Sequence, residues 1–198
     1  MKNIFSLDGG LYSFFTAMYN ILLISFFWFL FSIPIITIGS STSAAYFICG
    51  KWVRNESYNI IKDYLREFKN SFKKATFIWT LLGLFIVIIL LNINNNYLFG
   101  NYKNLIIILQ SIVLINLIII INCIFMLVGR FEMEVWDYIK SAYFIGIRYW
   151  YLTLLSIVFL ILLMFISYLF VLPIFIVPSL CILITSLLFK KSLEKYES

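Results

Sequence analysis

The sequence predicts an all-α polytopic membrane protein: one transmembrane helical bundle over residues 1–198, with six spans in three hairpins and amphipathic cytoplasmic helices between them. Three observations lead there. Of 198 residues, 63% are hydrophobic and 12% charged, and the mean hydropathy is +1.01. A soluble domain carries about 25% charged residues, so lipid has to cover surface that water cannot. Two stretches, Gly9–Gly50 and Tyr149–Phe189, run for 42 and 41 residues without a charge. The Lys and Arg residues fall in short segments between apolar runs, as cytoplasmic loops of membrane proteins do.

As one helix, the first uncharged stretch would be about 63 Å long, roughly twice the hydrocarbon thickness of a bilayer. It must fold back. Pro34-Ile35-Ile36-Thr37-Ile38-Gly39 supplies the turn, because a proline and a glycine bracket β-branched residues that disfavour helix. The spacing predicts a first span over 11–33 and a short return limb over 38–54, completed by Lys51 and Arg54 reaching to the interface. Small residues at Ser41–Ala45 would suit a cleavage site. The apolar run before them is about twice the 7–15 residues of a signal peptide, so a retained span is expected.

Within 56–74, Tyr58, Ile61, Leu65, Phe68 and Phe72 recur at spacings of three and four, with Lys, Arg, Asp and Glu on the other face. This predicts an amphipathic helix lying along the inner leaflet. A second hairpin follows, with spans over 75–98 and 104–129 and a turn at Asn94–Asn96 and Gly100-Asn101. A second amphipathic segment is expected over 131–148. The last hairpin, 149–172 and 174–190, breaks at Pro173 and Pro178 and stops at Lys190-Lys191. Leu30–Ile35 reads like Leu169–Ile174, which supports treating the two long runs alike.

Six crossings place both termini inside and leave Lys103 as the one basic residue outside, as the positive-inside rule requires. If Ser40–Arg54 is re-entrant, there are five crossings and the N-terminus is outside. Trp52, Trp79, Trp136 and Trp150 fall near the expected inner interface, and Tyr97 and Tyr102 near the outer one.

The chemistry that composition excludes is broad. There is no histidine, and Cys49, Cys123 and Cys181 are far apart, so no zinc or redox motif and no cofactor is expected. Every Asp and Glu lies in a terminus or a cytoplasmic segment, which argues against proton-coupled transport and against an intramembrane enzyme. The net charge of +6 is explained by membrane orientation, and no nucleic-acid partner is expected. The expected partners are the bilayer, anionic inner-leaflet lipid, and either membrane transporter subunits or further copies of this chain.

Few polar residues lie inside spans. Ser13, Thr16 and Asn20 share one face of the first. Gln110, Asn116 and Asn122 are six residues apart and form no stripe, so interhelical hydrogen bonding is the expected role. Gly39/Ser43, Ser40/Ala44 and Ser41/Ala45 are small-xxx-small pairs that let helices approach closely. As ligand-binding candidates the sequence offers Asn20 and Asn116 inside spans, and Thr37 and Gly39 at a helix start whose free N–H groups suit a polar or anionic ligand.

Asn20 with the run to Phe31, Pro34–Gly39, Ala44-Ala45-Tyr46, Lys51–Arg54, Asp63–Phe68 and Phe72–Ala75, with a weaker echo at Gly129-Arg130-Phe131, resemble the YesL-like family of bacterial membrane proteins of unknown function. Ser40 stands where that family often has proline, which bears on the local turn alone. The resemblance implies a protein of the bacterial inner membrane that accompanies carbohydrate ABC-type uptake systems, and it carries over no site residues. The expected role is therefore an accessory or regulatory membrane component, the alternative a small permease for a neutral solute.

Overall fold

A computed structural model describes residues 10–95, 103–169 and 175–197. The described chain is all-helical: α1 (Gly10–Ser32), a 3-10 turn (Ile35–Thr37), α2 (Ile38–Val53), α3 (Ile60–Asn94), α4 (Lys103–Val128), α5 (Val135–Arg148), α6 (Trp150–Leu169) and α7 (Val177–Glu197). Four of these, α1, α3, α4 and α6, are long and apolar enough to cross a membrane. Their outward faces are apolar side chains such as Phe26, Phe85, Ile112 and Phe165, each half or more exposed, which is the surface lipid covers.

The predicted break at Pro34 is where α1 ends. Thr37 closes the turn by donating to the carbonyls of Phe31 (2.6 Å) and Pro34 (2.7 Å). Pro178 stands in the first turn of α7, where its missing N–H costs no helical bond. Pro173 and the Asn96–Tyr102 turn lie outside the described residues. α2 ends with Asn55 at φ 59°, a left-handed position that Asn tolerates, and the amides of Asn55 and Glu56 return to the carbonyls of Trp52 and Lys51.

Two expectations about arrangement are corrected. Most of the amphipathic segment 56–74 and the described part of the span 75–98 form one continuous helix, α3 (Ile60–Asn94), of 35 residues, about 52 Å long. Asn59 caps it by accepting from the Lys62 amide (3.1 Å), while Asp63 accepts from the Asn59 amide (3.2 Å). No proline or glycine interrupts Ile60–Leu82, so nothing turns the charged half flat against a leaflet. It continues the axis of the apolar half.

The second correction concerns depth. The six-span arrangement puts the α1–α2 turn across the bilayer from Trp79, yet the Trp79 indole donates to the Ile35 carbonyl at 2.8 Å, as the re-entrant alternative for Ser40–Arg54 allows. The cause is the register of α2 on α3. Gly39 lies against Ala75 and Trp79, Ser43 donates to Ser71 (2.9 Å), and Lys51 pairs with Asp63 (3.2 Å). Each four-residue step along α2 is matched by a four-residue step back along α3. α2 therefore flanks the charged half of α3, and its turn sits about one helical turn into the apolar half. At 16 residues, about 24 Å, α2 is also short for a full crossing.

Eight of its sixteen residues are buried, which makes α2 the centre of the packing. Ala44, Ala45, Ile48 and Cys49 join Ile24 of α1, Tyr64 of α3 and Ile182 of α7 in one core. A second core joins Ala75, Ile78 and Leu82 of α3 to the C-terminal turns of α4, to α5 and to Phe189 of α7. Charged groups gather at one end of this arrangement: Lys51 on Asp63, Lys74 on the Met133 carbonyl (2.9 Å), and Lys190 on the Val53 carbonyl (2.9 Å).

Candidate functional site

A polar cavity of about 410 Å³ opens at that charged end. One wall is the inward stripe of α3, carrying Glu67, Asn70, Ser71 and Lys74; the other is the link from Val128 to Glu132, with Tyr138 of α5 and Phe47 of α2. Helical spacing sets the first wall, since Tyr64, Glu67, Ser71 and Ala75 recur at three and four residues. Ser71 is anchored by donating to the Glu67 carbonyl (2.8 Å) while accepting from Ser43.

The opposite wall is an irregular link held from three sides. Lys74 donates to the Met133 carbonyl, the Tyr138 hydroxyl donates to the Phe131 carbonyl (2.6 Å), and the Met133 amide donates to the Tyr138 hydroxyl (3.0 Å). Gly129 lies so close to the Ser43 carbonyl that a Cβ there would overlap it. Glycine is thus what allows the end of α4 to touch α2.

Electrostatically the cavity is mixed. Burial pushes the Glu67 carboxyl up to about 7; Arg66 opposes the shift and Glu132 adds to it. Burial likewise raises Tyr138 above the usual phenol range, against the opposing hydrogen bond from Met133. A carboxyl that gains or loses its proton near neutrality therefore faces amide, hydroxyl and cationic neighbours. Such a lining offers donors and acceptors to a polar group, and burial favours the protonated form of its carboxyl. With no histidine in the chain, the familiar base for an activated nucleophile is missing.

The sequence-predicted candidates engage separate partners and none lines this cavity. Asn20 donates to the Tyr58 hydroxyl (3.0 Å), tying α1 to the start of α3. Thr37 closes the α1–α2 turn, and Gly39, two residues on, is packed against Ala75 and Trp79. Asn116 donates to the carbonyl of Ile112 in its own helix (2.8 Å). Interhelical bonding is instead made by Asn122, which accepts from Ser156 (3.0 Å), and by Ser25 with Ser179 (2.5 Å). Sequence reasoning missed Glu67 because it falls on the charged face, opposite Ile61, Leu65 and Phe72, whereas the stripe that packing buries runs through Ile60, Tyr64, Ser71 and Ala75.

Residues 11–93 match a family described as "Protein of unknown function, DUF624". That match takes in α1, α2 and nearly all of α3, hence the Glu67–Lys74 wall and not the 128–132 wall. No curated protein and no solved structure matches the chain.

Proposed function

We propose that this chain is a multi-pass protein of the bacterial inner membrane, an accessory or regulatory component associated with carbohydrate ABC-type uptake, with no enzymatic activity. Its charged end and C-terminus face the cytoplasm, as the positive-inside rule requires. α2 serves as a re-entrant limb, a reading supported by the Trp79–Ile35 hydrogen bond. The YesL-like resemblance supports the link to carbohydrate uptake, and the matched family of unknown function is compatible with it.

The observation that carries the accessory role is the cavity at the charged end, a polar recess with one wall on the charged half of α3. It suits a side chain or loop of a cytoplasmic partner. The competing reading, a neutral-solute permease, is disfavoured by the polar groups inside the bundle, which close on each other: Ser25 with Ser179, Trp28 with Thr42, Asn122 with Ser156.

Photo-crosslinkers at Asn70 and Glu132, in cells grown on carbohydrate, are expected to capture an uptake-transporter subunit, and one at Ile112 lipid alone. Capture of no transporter subunit from either cavity position, with and without sugar, would remove the accessory role. Purified protein in liposomes should be leak-tight to a panel of neutral solutes; flux of one of them would establish the permease instead. Accessibility tags in 56–74 and at Lys103 should report opposite sides.

A further inference from the structure

A second, smaller pocket adjoins the cavity, sharing Phe47, Gly129 and Arg130 with it, and lies between the C-terminal ends of α2 and α4 and the middle of α7. Three cations from three separate elements line it: Arg54, Arg130 and Lys190. All three are half-buried. Arg54 donates to Glu56. Gly50 keeps Arg54 folded back along α2, since an added Cβ would come 3.1 Å from Arg54 Nη1.

Ser186 provides the independent observation. It forms part of the pocket wall, is 7% exposed, and its buried hydroxyl has no hydrogen-bond partner among the described residues. Helical serines and threonines ordinarily donate back to a carbonyl in the preceding turn. Ser179 and Thr185 of the same helix do so. Ser186 does not, so its hydroxyl is able to donate to a group bound in the pocket it lines.

We infer that the Arg54–Arg130–Lys190 pocket seats a phosphate-bearing anion, a phospholipid headgroup or free phosphate, with one phosphate oxygen accepting from Ser186. The void is about 20 Å³, room for one water-sized group. The anion therefore sits at the mouth, where its remaining oxygens meet the cations. Free phosphate has an oxygen for Ser186 and one for each cation, while a lipid phosphodiester shares its two unesterified oxygens among them; guanidinium forks match either. Basic pockets between helices on the cytoplasmic side take anionic headgroups in the same way. The lipid source rests on the proposed orientation of the charged end; the free-phosphate source does not.

The test uses the full chain in detergent, titrated with dihexanoyl phosphatidylglycerol, with a phosphorus-free galactolipid of matched chain length, and with sodium phosphate as competitor, read by native mass spectrometry. Phosphatidylglycerol should bind at one saturable site and the galactolipid should not. Lys190→Gln and Arg130→Gln should each weaken binding about tenfold, and Ser186→Ala about threefold. Lys190→Arg should restore it. The double variant Lys62→Gln/Lys69→Gln, which removes two charges from outside the pocket, should change it less than about twofold. Displacement by phosphate identifies the free anion as a competent ligand; retention of lipid identifies the headgroup. Equal binding of the galactolipid, equal loss in the Lys62/Lys69 variant, or no loss in Ser186→Ala and Lys190→Gln overturns the seat, leaving a buried water at Ser186. None of these results touches the crosslinks from Asn70 and Glu132, so the two readings fail separately.

Discussion

Ser43 on α2 donates a hydrogen bond to Ser71 on α3 at 2.9 Å, and both side chains are buried. The contact fixes a register in which Gly39 meets Ala75 and Lys51 meets Asp63. Two hydroxyls this close place their Cβ atoms within reach of a disulfide. In a background with Cys49, Cys123 and Cys181 replaced, Ser43→Cys with Ser71→Cys should cross-link under mild oxidation. Ser43→Cys with Leu82→Cys should not, because Leu82 lies about 16 Å further along α3. Absence of the 43–71 disulfide in folded protein, seen by gel mobility, would refute the register.

Two glycines should respond oppositely to an added side chain. At Gly39 a Cβ would stand 2.6 Å from the Ala75 carbonyl oxygen and 2.7 Å from Trp79 Cβ, both tied to backbone that cannot move aside. Gly39→Val is expected to cost about 1–3 kcal/mol and to lower the thermal midpoint in detergent. At Gly83 nothing lies within 4 Å. Gly83→Ala is expected to be neutral or to stabilise by about 0.5–1 kcal/mol, since alanine loses less freedom in a helix. Equal loss at the two sites would mean that α2 does not approach α3 as described.

Much of this architecture is legible in the sequence, and the missing part has a physical cause. Pro34 announces the end of α1, and the Gly39/Ser43 pair announces a close helix contact, because local sterics set both. Which helix Gly39 meets is not local. Its partners, Ala75 and Trp79, are more than thirty residues away, and nothing in an apolar run says how deep a turn sits beside its neighbour. The fusion of 56–74 with 75–98 is legible in hindsight: no helix breaker separates them, although the change from charged to apolar invites a boundary. The polar cavity draws one wall from 67–74 and the other from 128–132, so only tertiary packing reveals it.

Two ion pairs near the C-terminus of α2 should differ in weight. Lys51 and Asp63 are enclosed, with side chains 18% and 13% exposed, whereas Glu56, which pairs with Arg54, is 45% exposed. Burial works against the Asp63 carboxylate, but the Asn59 amide, Lys51 and Arg66 outweigh it and hold the group below its usual range. The Arg54 hydrogen bond, its largest influence, does the same for Glu56. A lowered folded-state value means stability that is present above the ordinary carboxylate range and is lost as pH falls through the folded value. Asp63→Asn is therefore expected to cost about 1–3 kcal/mol near neutral pH, and Glu56→Gln less than about 1 kcal/mol, the more so at high salt. Thermal midpoints of the two variants across a salt series check the ordering, and equal costs would contradict it.

Glu67 reverses that dependence. Its folded-state value of about 7 lies above the ordinary 4.5, chiefly through burial, with Arg66 opposing and Glu132 adding. Between those values the folded protein holds a proton that the unfolded chain has released, so stability falls as pH rises from about 4.5 to 7 and levels off above. Because Glu67 is only partly buried, solvent screening cuts the effect to about 1 kcal/mol. Glu67→Gln, which mimics the protonated form, should match the parent near pH 5 and exceed its thermal midpoint near pH 8. Glu132→Gln should make the slope shallower by removing the neighbouring charge, while Arg66→Gln should steepen it by removing the opposing cation. A Glu67→Gln profile parallel to that of the parent from pH 5 to 8 would show that this carboxyl is not desolvated in the cavity wall.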